Sequence, residues 1–247
     1  VKLERNSGIL LHPTSLPDSP VCGSFGKPSR EWLNELAAFG IGVWQFLPLA
    51  PTDSFGSPYS SPSSFALNPW FLDQNDLVRD GFLANKLEDF SSANDCFKNR
   101  VDFHLANSKV KSLRFSLVDD WYKQNRTIQE EFEIWCSKQF WLDDHSIFME
   151  LKIQNNDLPW WEWPDEYADR DKKELENWKK NNQRELLGHN LLQWHLDRQW
   201  KSIRKLAKNL GIFLFGDVPF YVSKDSADVW SNRSLFSILT NSDTFLQ

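Results

Sequence analysis

Three short apolar runs, linked by amphipathic helical stretches, constrain the fold of this chain most strongly. Residues 8–11, 43–47 and 212–215 are apolar except for Gln45, and polar or proline-containing loops follow each run. Continuous apolar runs of this length are typical of strands that are buried on both faces of a parallel sheet. Because a helical stretch precedes the second and third runs, the order predicts a parallel α/β sheet, with a barrel favoured over an open sheet.

Residues with known capping preferences predict where the linking helices begin and end. Ser29 is a plausible N-cap for the first helix, and Gly40 is a plausible stop after it. Asn182, with Glu185 three residues later, resembles a capping box at the start of a long helix. Apolar residues then recur every three or four positions until Gly211, which we expect to end that helix.

A long interruption separates the second apolar run from the third. Amphipathic stretches occupy residues 110–122 and 129–148. An ordinary crossover between parallel strands needs only about a dozen residues. We therefore expect three parts: residues 1–69 with the first two strands, residues 70–180 as an inserted, mostly helical subdomain, and residues 181–247 with the long helix, the third strand and the loop after it.

Charge and cysteine content narrow the choice of partners. The formal net charge is -6, without a long block of one sign, so nucleic acid is not an expected partner. No stretch is apolar and long enough to span a bilayer, and no secretory signal is visible. Cys22, Cys96 and Cys136 form neither a CxxC pair nor a disulfide scaffold, which favours a reducing, cytoplasmic compartment. The termini, Val1 and Gln247, suggest truncation at both ends.

The aromatic content has two interpretations. The chain contains 13 Trp and 19 Phe but only 4 Tyr. Most of these rings fit a core and helix faces rich in large side chains. Alternatively, some exposed rings stack on the C–H faces of sugars, which pack on aromatic rings as other apolar surfaces do.

Reactive side chains are expected in the loops that follow the strands, because barrel enzymes place them there. The sequence has no GxGxxG, P-loop, HExxH or GxSxG motif, and His189 and His195 are spaced too far apart for one helix face, so a metal site is not supported. Asp217 follows the third run, and it either accepts backbone N–H groups or binds ligand hydroxyls. Tyr59 lies in a polar loop after the second run, and it either fixes a turn or lies under a sugar ring.

These loops carry a resemblance to the amylomaltase family of 4-α-glucanotransferases, glycoside hydrolase family 77. The resemblance extends over nearly the whole chain in the same order and is weaker in the interruption. It is carried by segments 5–17, 56–66 and 193–200 and, most specifically, by Gly216-Asp217-Val218-Pro219-Phe220-Tyr221-Val222 with Asp225-Ser226-Ala227-Asp228-Val229-Trp230.

The resemblance implies a (β/α)8 TIM barrel, of which this chain holds the first three strands. It also implies transfer of α-1,4-glucan segments, from maltooligosaccharides or amylose, with retention and without metal or organic cofactor. Retention needs two carboxyls about 5–5.5 Å apart. The family pattern places them in an Arg-x-Asp-His segment and later segments, which we expect beyond Gln247. The 247-residue chain alone is therefore predicted to be inactive.

By matching motifs, Tyr59 corresponds to the tyrosine that supports the sugar next to the cleaved bond, and Asp217 to an aspartate that binds sugar hydroxyls. Ser57 is a further contact on the same loop, whereas His12 and Trp230 are expected to be structural. Two other functions stay open at this point, an α-glucan hydrolase and a glucan-binding module without catalysis.

Overall fold

The computed structural model describes residues 5–17, 21–85, 87 and 100–237. Three strands, β1 (Gly8–Leu10), β2 (Val43–Gln45) and β3 (Phe213–Phe215), form a sheet in the order β1-β2-β3. Both pairings are parallel, and Ile9, Trp44 and Leu214 share one row across the sheet. The predicted parallel α/β arrangement of these three runs is thus confirmed.

Helices make up most of the described chain, and they lie mainly between β2 and β3. In chain order, the helices α1 to α9 span Lys27–Ala38, Gln74–Arg79, Phe103–Trp121, Arg126–Ser137, Leu142–Gln154, Asp165–Ala168, Lys172–Asn181, Gln183–Asn209 and Ala227–Ser231. Short 3-10 turns occur at Pro13–Ser15, Pro69–Phe71, Trp160–Glu162 and Arg233–Leu235. No helix in the described ranges is both long and apolar enough to cross a membrane.

The predicted helix stops are right. After α1, the backbone amide of Ile41 donates to the carbonyl of Leu36, and Gly40 takes φ +68°. Gly211 follows α8 with φ +72°. Both positions need a backbone conformation that glycine adopts without a Cβ clash, so the sequence predicts these boundaries well.

Of the two predicted helix starts, the one at Ser29 is wrong, and the one at Asn182 is right in position but lacks the expected capping hydrogen bonds. Gly26 is the N-cap of α1, and Ser29 lies in the first turn, where its hydroxyl donates to the Ser24 carbonyl at 2.6 Å. Asn182 does precede α8, but its side chain makes no cap hydrogen bond. Its amide instead bridges two other groups, accepting from Gln154 and donating to the Trp178 carbonyl, each at 2.8 Å. Tertiary partners have replaced the predicted capping box.

The strands are not buried on both faces, contrary to the sequence-based expectation. Trp44 is fully buried, and it lies on the face that α1 and α8 cover. Side chains on the opposite face, which come from alternate positions, are about half exposed: Leu10, Phe213 and Phe215. The reason is that the described helices pack against only the face that contains Trp44, so the sheet has one covered and one open face.

One hydrophobic cluster joins the sheet to the long helices. It contains Leu33 of α1, Trp44 of β2, Leu113 of α3 and Leu196 of α8. A second cluster joins α5, α7 and α9. Of the 13 tryptophans, eight are buried, which favours the core interpretation for most of them: Trp44, Trp70, Trp121, Trp160, Trp163, Trp178, Trp194 and Trp230.

Candidate functional site

Two loops after neighbouring strands bring a phenol and a carboxylate together. The loop that follows β2 carries Tyr59, and Asp217 lies two residues after the end of β3. The Tyr59 hydroxyl donates a hydrogen bond to Oδ2 of Asp217 at 2.6 Å. Since β2 and β3 are adjacent and parallel, their carboxyl ends lie at the same edge of the sheet. The structure thus brings together two side chains that the sequence singled out separately.

Both side chains of this pair are open to solvent. Tyr59 is 44% exposed, and Asp217 is also exposed. The hydrogen bond to Asp217 raises the pKa of the Tyr59 phenol, because loss of the phenolic proton would place a second negative charge beside the carboxylate. Asp217 does not follow a buried strand end, as the apolar run before it suggested, because Phe215 and Gly216 are exposed.

The carboxylate of Asp217 retains capacity to bind a ligand. Its Oδ1 accepts the backbone amide of Val218 at 2.8 Å, and its Oδ2 accepts the Tyr59 hydroxyl. Two carboxylate oxygens together offer about four acceptor sites. About two sites are therefore left for donors such as the hydroxyls of a ligand.

A compact turn holds the backbone ahead of Tyr59. Oδ1 of Asp53 accepts the amides of Phe55 at 2.9 Å and Ser57 at 2.8 Å, as in an Asx turn. Gly56 completes the turn with φ +84°, and a Cβ there would lie 2.4 Å from the Phe103 ring. The Ser57 hydroxyl accepts the Tyr59 amide at 3.3 Å. Ser57 thus orients the loop and stands beside the pair.

The segment after Tyr59 is fixed by α8 and α9. The Ala227 amide donates to the Pro62 carbonyl, and Asp228 accepts the Ser64 amide, each at 2.9 Å. Burial raises the pKa of Asp228. The side-chain amide of Gln193 in α8 both accepts from and donates to the backbone of Leu67 at 2.9 Å. Sequence reasoning gave Gln193 and Asp228 no role, although both lie in the segments that carry the family resemblance.

His12 and Trp230 are embedded in packing. Burial lowers the pKa of His12 to about 4, so it is neutral at pH 7, and its ring meets Phe71 edge-on at 5.5 Å. Trp230 is fully buried, donates to the Tyr167 carbonyl at 3.0 Å, and lies under the Arg170 guanidinium at 4.0 Å. These surroundings agree with the structural roles that the sequence suggested for both residues.

A second polar cluster, which the sequence did not reveal, is buried between three helices. Oε2 of Glu150 (α5) accepts from Arg114 (α3) at 2.5 Å and contacts Nε2 of His189 (α8) at 3.0 Å. Burial raises the pKa of Glu150, but the hydrogen bond from His189 and the charge of Arg114 together lower it overall. Burial lowers the pKa of His189 more than Glu150 raises it. We call Arg114, Glu150 and His189 the buried triad.

No metal centre is formed by the part of the chain that the structure describes. Within it, no group of three or more histidine, cysteine, aspartate or glutamate side chains is arranged to hold an ion. Burial lowers the pKa of His195 to about 3, so this histidine stays neutral in the core. Cys22 and Cys136 are free thiols, and Cys96 lies outside the described residues.

The fold is that of an α/β protein, and the Tyr59–Asp217 pair lies at the carboxyl ends of its parallel strands, the edge at which proteins of this class usually bind ligands. The sequence model of the family described as 4-alpha-glucanotransferase matches residues 11–242. The chain belongs to this family.

Relatives and a solved structure agree with that assignment. A 4-alpha-glucanotransferase of Synechocystis sp. is 37% identical over 95% of this chain, and one of Thermus thermophilus is 35% identical over 96%. An amylomaltase from Streptococcus agalactiae, solved in complex with acarbose, matches 95% of this chain with a TM-score of 0.87 and 28% identity. The match covers 46% and 47% of the two relatives and 47% of the solved chain. The chain thus spans about half the length of the curated relatives it matches.

Proposed function

We propose that this chain provides part of the glucan-binding site of a 4-alpha-glucanotransferase, an enzyme that transfers α-1,4-glucan segments between glucan chains with retention. The observation that carries the proposal is the hydrogen bond of 2.6 Å between Tyr59 and Asp217. The family match over residues 11–242 supports the reaction class. The substrates proposed are maltooligosaccharides and amylose, and the proposed compartment is the cytoplasm.

Each member of the pair has a separate task in this proposal. The ring of Tyr59 offers an apolar face on which the C–H patch of a glucose unit packs. Asp217 accepts hydrogen bonds from sugar hydroxyls, and charge-assisted bonds of this kind are stronger than neutral ones. The Ser57 hydroxyl accepts the Tyr59 amide and retains its proton, which it can donate to a sugar oxygen. Ser57 is therefore proposed as a further contact.

We also propose that the sheet is part of a (β/α)8 barrel. The open face of the sheet, which contains Leu10, Phe213 and Phe215, supports this, because the corresponding face of a closed barrel lies in the packed interior. In this arrangement, residues 70–180 form a helical insertion between the second and third barrel strands.

The catalytic groups of the proposed reaction are assigned outside this sequence. Retention uses one carboxylate that forms a covalent glycosyl-enzyme and one carboxyl that donates and recovers a proton. We propose that both lie in segments that residues 1–247 do not contain, as the family pattern implies. This chain therefore has the role of binding and orienting the glucan, and an aromatic surrounding helps to exclude water in favour of a sugar acceptor.

Incubation of the complete gene product with maltotriose tests the reaction class. A transferase yields a ladder of longer and shorter glucans together with some glucose. Short products alone would identify a hydrolase, and intact maltotriose with measurable binding to amylose would identify a binding module. Either of these two results would contradict the proposed transfer.

A further inference from the structure

We propose a second contact site for the glucan, a corner formed by the rings of Phe65, Phe140 and Trp141, which we call the aromatic corner. It would bind a more distant part of a long α-1,4-glucan whose other part lies at Tyr59 and Asp217. This inference rests on the proposed function and extends it by giving the protein a preference for long chains.

In the aromatic corner, Trp141 stacks with Phe65 and Phe140 meets Phe65 nearly at a right angle. The rings of Phe65 and Trp141 are nearly parallel, with an interplanar angle of 16° and centroids 6.4 Å apart. The ring of Phe140 meets Phe65 at 78°, with centroids 4.9 Å apart. Phe65 is 50% exposed and Phe140 is 79% exposed. Two sequence segments about 75 residues apart thus share one exposed aromatic surface.

The backbone holds Phe65 firmly at this surface. The Ser63 hydroxyl accepts the amides of Phe65 at 3.3 Å and Ala66 at 3.2 Å. Ser64 is bonded to Asp228 and Leu67 to Gln193, as described above. The ring therefore stays in water although the surrounding chain is well anchored. Because the backbone that carries the ring is already fixed, little further ordering of this segment is needed when a ligand arrives.

A glucan fits the aromatic corner better than a protein does. Three rings offer a narrow surface, whereas a stable protein interface buries about 800 Å² on each partner. A pyranose needs only one ring face for its C–H patch, and a perpendicular ring can contact its edge.

The aromatic corner also lies close to the proposed site along the chain. Phe65 follows Tyr59 by six residues in the same loop, so their Cα atoms are at most about 20 Å apart. One oligosaccharide can therefore contact both places.

Substitution of Phe140 tests the proposal, with Phe39 as a matched control. Phe39 is 77% exposed, and it caps α1 at the amino end of β2, on the opposite side of the sheet from the site loops. Binding of maltoheptaose and of maltotriose would be measured by titration calorimetry on the purified protein. We expect Phe140→Ala to weaken maltoheptaose binding about three- to tenfold, to leave maltotriose binding within about twofold, and to have no counterpart in Phe39→Ala.

Two further variants separate the possible failures. Phe140→Tyr keeps a ring and should restore maltoheptaose binding, whereas Tyr59→Phe combined with Asp217→Asn should weaken both glucans. If Phe140→Ala matches Phe39→Ala, or if maltoheptaose binds no more tightly than maltotriose to the unsubstituted protein, the aromatic corner is refuted while the Tyr59–Asp217 site stands. If the variant at Tyr59 and Asp217 binds both glucans as tightly as the unsubstituted protein, while Phe140→Ala weakens maltoheptaose binding, the proposed function fails instead. Loss of self-association in Phe140→Ala without loss of glucan binding would assign the corner to a second copy of the chain and overturn the proposal.

Discussion

The buried triad and the Tyr59–Asp217 pair are both short hydrogen-bonded groups centred on a carboxylate, yet they differ in burial. Glu150, Arg114 and His189 expose 6%, 7% and 10% of their side chains. Tyr59 and Asp217 are open to water. The triad joins helices α3, α5 and α8 and has no surface for a ligand. The pair joins two loops and leaves acceptor sites free. Burial thus separates a group that holds the fold from a group that can bind.

The difference has an energetic consequence. Removing one partner from a buried ion pair leaves an uncompensated charge in a poorly polar medium, and this costs about 3–5 kcal/mol. Exposed pairs contribute about 0–1 kcal/mol, because water solvates the partner that remains. The two groups should therefore respond in opposite ways when stability and glucan binding are measured on the same variants.

The largest effect is expected for Glu150→Ala. The substitution leaves Arg114 buried without its carboxylate, so the free energy of unfolding should fall by about 3–5 kcal/mol. Urea unfolding monitored by tryptophan fluorescence measures this change. A loss below about 1 kcal/mol would show that the triad is not a support of the fold.

An exposed ion pair of similar length provides the control for that substitution. Lys201 lies 2.6 Å from Asp197, and its side chain is 62% exposed. Lys201→Ala should change the free energy of unfolding by at most about 0.5 kcal/mol. Equal losses in Glu150→Ala and Lys201→Ala would mean that burial does not make the difference proposed here.

Acidification should weaken the fold through the triad by a smaller amount. The pKa of His189 is lowered in the folded protein, so the unfolded chain takes up the proton first as the pH falls below about 6.5. The pKa of Glu150 is also lowered, so its contribution is present above its unfolded pKa of about 4.3 and is lost as the pH falls through the folded value. Both effects reduce stability on acidification. Other histidines with a lowered pKa act in the same direction: His12, His145 and His195.

The free energy of unfolding at several pH values between 7.5 and 5 measures this dependence. A single histidine contributes at most about 1.4 kcal/mol per pH unit. His189→Asn should flatten the slope relative to the unsubstituted chain. If the free energy of unfolding depends on pH equally in His189→Asn and in the unsubstituted chain, the acid sensitivity comes from the other histidines and not from the buried triad.

The comparison also shows which features a sequence reveals. Gly40 and Gly211 marked helix ends correctly, because a left-handed backbone position is a local requirement. The proximity of Tyr59 and Asp217 was predictable, since loops at the carboxyl ends of adjacent parallel strands meet at one edge. Ser29 proved not to be a cap, and Asn182 precedes its helix without capping it, because both side chains bind other partners.

Tertiary packing accounts for what the sequence did not reveal. Phe215 lies in an apolar run that looks buried, but its exposure depends on which elements cover the sheet. His189 gave no local signal, because its partners lie 39 and 75 positions away on other helices. The ends of elements are set by short-range rules, whereas burial and long-range ion pairs are set by how the helices pack.

The Asp217→Asn variant tests the central claim most directly, through its free energy of unfolding and its affinity for maltotriose measured on the same preparation. The substitution keeps the shape of the side chain and removes its charge. We expect a change in stability within about 0.5 kcal/mol. We also expect maltotriose binding to weaken about tenfold or more, since hydrogen bonds to charged groups contribute about 1.5–3 kcal/mol. A protein that binds maltotriose as before but unfolds more easily would contradict the account, because Asp217 would then support the fold and not the ligand.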